Sequence, residues 1–135
     1  MNPGLGASLA ESRAVHIAFA FLAMGGWAAF ANRGHGLGGA AIAGLVQGAL
    51  SALITLVLQA ALTRMFGRLN GLKALVIPPT VTCIVVLLVL LTAHRLAGTR
   101  EVLATIALPY AVSSLYAWIF TARLHRRALA SETPS

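Results

Sequence analysis

Within residues 37–63 a polar side chain returns at every fourth position, as Gln47, Ser51, Thr55, Gln59 and Thr63. Beside them, at the same spacing, run Ala40, Gly44, Gly48 and Ala52. A face both small and polar is expected to meet another helix or a cavity, because lipid tails offer a glutamine no hydrogen-bond partner. A second constellation is Thr105, Pro109 and Ser113, which share one helical face around a proline that cannot donate to the Thr105 carbonyl. Facing one another, the Gln47, Ser51, Thr55 stripe and this proline site would form either interhelical glue or the wall of a substrate path. Gly44, Gly48 and Ala52 would admit a neighbouring backbone. A third group, Arg64, Arg68 and Lys73, has the chemistry to hold lipid headgroups or a phosphate, although the positive-inside rule already places such residues in a cytoplasmic loop.

The elements that must carry these residues are membrane spans. The 135 residues are 59% hydrophobic and 10% charged, and the mean hydropathy is +0.85, which excludes a soluble globular class. Roughly 20 apolar residues rising about 1.5 Å each cross a hydrocarbon core about 30 Å thick. Four runs reach that length, at about 8–31, 37–63, 74–93 and 101–121. The expected fold is therefore an all-α membrane protein, a single four-helix transmembrane bundle over residues 1–127 with a disordered tail at 128–135.

Local signals refine the boundaries. Ser8 and Glu11 have the S-x-x-E spacing of a capping box and place the start of the first helix at Ser8. Gly25 and Gly26 in that helix indicate close helix contact, and Trp27 suits the membrane interface. Arg13 followed by an apolar run ending in Ala29, Phe30 and Ala31 also resembles a cleavable signal, but the run is longer than an ordinary signal core and fits a retained helix better. Residues 32–39 read as a Gly-rich hairpin; its G-x-G lacks the preceding strand of a dinucleotide fingerprint. Phe66, Leu69 and Leu72 are expected to dip into the interface. Pro78 and Pro79 either begin the third helix or, inside it, free two carbonyls beside Thr80 and Thr82; the first is favoured.

Seven Lys and Arg residues fall on one side of the expected spans and three on the other, so both termini are expected to be cytoplasmic. The net charge of +7 is accounted for in this way, and no nucleic-acid partner is expected. The chain has one cysteine, Cys83, hence no internal disulfide or thiolate cluster. No acid lies in the middle of a span, which speaks against proton exchange through a buried carboxylate. The four histidines sit at expected helix ends or loops, so no haem, other cofactor or metal site is expected. No pairing of nucleophile and base and no acid pair stands out, so an enzyme ranks last. The leading expectation is a non-enzymatic carrier of a lipid-like or small amphiphilic molecule in a bacterial inner membrane. The alternative is an accessory subunit of a larger membrane enzyme or translocase. Expected partners are the lipid bilayer and either further copies of the chain or a larger membrane complex.

Overall fold

A computed structural model describes the backbone of residues 3–132 and the side chains of residues 11–131. Four long helices follow one another, α1 (Pro3–Ala31), α2 (Gly36–Phe66), α3 (Gly71–Leu96) and α4 (Val102–Glu132), with a single 3₁₀ turn at Arg33–His35 between the first two. Each is long and apolar enough to cross a membrane, and the chain is an integral membrane protein with an all-α four-helix bundle. The helices alternate in direction. Asn32 and His35, after α1, meet Thr105 and Glu101 at the start of α4. At the other end the Phe66 ring packs edge-on against His125, 6.4 Å between centroids. One end therefore gathers Arg13, Arg64, Arg68, Lys73 and the Arg123–Arg127 cluster; the far end holds Arg33, Arg95 and Arg100. Reporter fusions after Gly67 and Arg127 should thus read as cytoplasmic, and fusions after His35 and Gly98 as the opposite side. An exchange between the two groups would overturn the charge argument.

Helix ends differ from the sequence reading, for local reasons. α1 begins at Pro3, five residues before Ser8, because proline suits a first helical turn, where its missing N–H has no intrahelical partner to lose. The S-x-x-E pair then lies inside the helix and does not start it, and the Ser8 side chain is outside the described residues. α3 starts at Gly71 rather than at the prolines, so Pro78 and Pro79 are interior and buried. Thr82 returns its hydroxyl to their carbonyls at 2.9 and 3.0 Å, and Thr80 bonds the Val76 carbonyl. α3 also continues past residue 93 to a Schellman cap. Gly98 sits at φ +69°, its N–H bonds the Arg95 carbonyl, and the Thr99 N–H reaches back to the His94 carbonyl at 3.0 Å. α4 does not stop at 121 but runs through Arg123, Arg126 and Arg127 to Glu132, so residues 128–132, read as disordered tail, are helical; residues 133–135 are outside the described residues.

α2 is the central helix and touches the other three. Its seam with α1 is the tightest in the molecule. A Cβ built on Gly25 would lie 2.7 Å from the Gly44 carbonyl oxygen, one on Gly44 would lie 3.0 Å from the Gly25 oxygen, and one on Gly48 would meet Phe21 at 3.0 Å. A Cβ at Gly25 would force the backbones apart, and at Gly44 and Gly48 the neighbours would have to give by a few tenths of an ångström. On its other faces α2 meets α3 and α4 at two apolar clusters, Leu58, Leu62 and Ala117 towards the basic end and, towards the far end, Val86, Leu90 and Ile106 with Leu50 and Ile54 of α2 packed against them. The outward face of α3, with Ile84, Val85, Leu88 and Val89, is left for lipid.

Candidate functional site: a cleft between three helices

Polar groups inside the bundle form two satisfied networks near the far end and one cleft towards the basic end. In the first network His94 is completely buried. Its Nε2–H donates to Gln47 Oε1 at 2.8 Å, and the Thr99 hydroxyl lies 2.9 Å from its Nδ1. The Gln47 amide donates in turn to Ser51 Oγ at 2.9 Å. This order follows from assigning the tautomer and amide orientation that let each atom pair. The Schellman cap explains Thr99: the turn that ends α3 brings its side chain back over the histidine.

The second network joins α1 to α4. Asn32 donates its amide hydrogens to the Ala28 carbonyl (2.9 Å) and Thr105 Oγ1 (2.7 Å), and its Oδ1 accepts the Glu101 N–H at 3.1 Å. Thr105 passes its own hydroxyl to the Glu101 carbonyl. An asparagine from one helix end thus satisfies an orphan donor at the start of another. Trp27 adds a bond from its indole N–H to the Ala104 carbonyl at 2.9 Å, and the half-exposed Glu101 carboxylate holds His35 at 2.9 Å.

Towards the basic end, α1, α2 and α4 part around a cavity of about 420 Å³. Its mouth carries Ser12, Arg13 and His16 from α1, Gln59 from α2 and Tyr116 from α4. Further along the helices from that end lie Ile17, Ile54, Val112 and the hydroxyl residues Thr55 and Ser113, of which Thr55 and Val112 are themselves exposed. Those two hydroxyls are already spent on the carbonyls one turn back, Thr55 on Ser51 and Ser113 on Pro109, each at 2.8 Å. This part of the wall therefore presents mainly hydrocarbon. The cavity is an open cleft rather than a sealed chamber, since Leu56 and Tyr116 on its walls remain 45% and 42% exposed. Its volume falls within the roughly 300–1,000 Å³ of sites that hold small organic ligands.

The six polar or proline residues singled out from sequence are thereby divided. Thr55 and Ser113 come together in the cleft. Gln47 and Ser51 face His94 of α3, and Thr105 faces Asn32 of α1, so the Gln47 stripe and the Thr105–Pro109–Ser113 face do not meet as one surface. Pro109 is buried inside α4. Gly44 and Gly48 lie on the α1 seam, and Ala52 is half-buried one turn on. Arg64, Arg68 and Lys73 are exposed at the basic end, outside the cleft lining. Asn32 and His94, assigned to loops from sequence, are buried hubs; Gly98 as a helix-ending glycine was the signal that extends α3 over His94. Among the described residues no three His, Cys, Asp or Glu side chains cluster as a metal site would require. Compared with protein-family models, curated proteins and solved structures, the chain matches none.

Proposed function

We propose that the protein is a non-enzymatic carrier, in a bacterial inner membrane, that takes a lipid-like or small amphiphilic molecule into the cleft between α1, α2 and α4. The observation that carries this reading is the cleft's lining, with Arg13, His16 and Gln59 towards the basic end and Ile17, Ile54 and Val112 further along the helices, which matches a molecule with a head and a tail. The non-enzymatic part is supported by the lining: it contains no carboxylate, and Ser113 has its hydroxyl committed to a main-chain carbonyl. The subunit reading draws on the small-residue face of α2, but α1 of the same chain already covers Gly44 and Gly48, which favours the carrier.

Thr55→Phe tests the site. The Thr55 hydroxyl serves only its own helix, so the substitution costs little packing while placing a ring in the cleft. The purified variant should keep its helix content and thermal stability but lose most binding of a fluorescent alkyl amphiphile. Equal binding by both proteins would remove the cleft from the account.

A further inference from the structure

We infer that the cleft selects amphiphiles with an acidic headgroup, a carboxylate or phosphate held by Arg13 with His16 beside it; this rests on the carrier reading above. Arg13 is the one Lys or Arg among the cleft-lining residues, and no Asp or Glu joins it. Among the described residues no carboxylate pairs with it: the ion pair found there joins His35 to Glu101 at the far end. Glu11, the nearest acid in sequence, stands two residues away and so about 200° around α1, off the cleft face.

His16 lies one turn from Arg13 on the same side of α1. Its Nδ1–H donates to the Ser12 carbonyl at 2.7 Å, which fixes the tautomer and leaves Nε2 without a partner among the described residues. An arginine fork can bind an anion through two parallel N–H bonds, so Arg13 carries the charge recognition; with its Nδ1–H committed, the neutral His16 ring offers Nε2 as an acceptor, which suits the O–H of a protonated phosphate or carboxyl group. Depth agrees with this assignment. Arg13 belongs to the end that also bears Arg64, Arg68 and Arg123, whereas Ile17, Ile54 and Val112 lie further into the membrane. A headgroup at Arg13 thus places its alkyl chain along the apolar wall. Guanidinium and anion would be paired close to low-dielectric hydrocarbon, where the attraction exceeds that in water.

The test displaces a neutral environment-sensitive alkyl probe from the purified full chain in neutral detergent. Competitors of equal chain length carry a carboxylate, a phosphate monoester, a trimethylammonium or a glycoside. Both anions should compete at least about tenfold more strongly than the glycoside, and the cation least. Arg13→Gln should erase the anion advantage and leave the glycoside unchanged, while Arg13→Lys should keep part of it. Stronger competition by the carboxylate points to free fatty acids, and by the phosphate to phospholipid-type headgroups; either supports the proposal. Arg68→Gln, outside the cleft, controls for general attraction to the basic end, and an equal loss there overturns the proposal. If glycoside and anions compete equally and Thr55→Phe blocks them all, acid selection fails while the carrier reading stands. If no alkyl ligand competes, both fail.

Discussion

Replacing Gly44 and Gly48 together by leucine should pry α1 from α2 and produce a large loss of stability. Even a methyl group would be tight at either position: a Cβ on Gly44 would lie 3.0 Å from the Gly25 oxygen and 3.1 Å from the Ala29 Cβ, and one on Gly48 would lie 3.0 Å from the Phe21 ring and carbonyl, so leucine's further atoms must push α1 away. Overpacking costs about 1–3 kcal/mol per site where neighbours can shift. Here two of the obstructing groups are backbone carbonyls, which give way only if the whole helix moves. Once α1 moves, the Trp27 and Asn32 bonds to α4 go with it. Thermal unfolding in detergent should show a drop of many degrees or loss of the monodisperse species. Gly26→Leu is the control, since nothing lies within 4 Å of a Cβ there, and it should behave as wild type. Unchanged unfolding of the double variant would mean that this face meets lipid.

Gln47→Leu should destabilise the bundle by about 1–3 kcal/mol and leave amphiphile binding intact. An interhelical hydrogen bond in a membrane protein averages only about 0.6 kcal/mol. Gln47 exceeds that average because it is fully buried and its removal strands the buried His94 N–H without an acceptor. Removing both polar groups should be milder than the sum of the single changes, so a cycle of Gln47→Leu, His94→Leu and the double variant should show coupling. Binding should persist because Gln47 lines no part of the cleft. A stable Gln47→Leu protein that no longer binds would falsify the division between network and cleft.

The spans were legible because hydropathy over twenty residues is a strong signal, and so was the small face of α2, whose glycines recur at helical spacing. Helix ends were less so. They depend on single residues acting through the backbone, such as Pro3 opening α1 or Gly98 turning the end of α3, and hydropathy does not register these. Site composition was half legible for a geometric reason. Residues four apart on a helix drift by about 40° per step, so Gln47 and Thr55, two steps apart, differ by about 80°. For a helix with three neighbours that is enough to pass from one partner to the next: Gln47 points to α3, and Thr55 into the gap between α1 and α4. The stripe looked like one surface in sequence and serves two. In sequence Arg13 is one of seven basic residues on the expected cytoplasmic side, and His16 one of four histidines at helix ends or loops. Only the tertiary arrangement sets them beside Tyr116, a hundred residues later in the chain.

That an amphiphile occupies this cleft is tested most directly by photolabelling. A photoreactive alkyl carboxylate, supplied below one equivalent to the purified chain, should crosslink to peptides carrying Ile17, Ile54 and Val112, and Thr55→Phe should abolish those adducts. Adducts confined to the lipid-facing side of α3, at Val85, Leu88 and Val89, and undiminished in Thr55→Phe, would contradict the account.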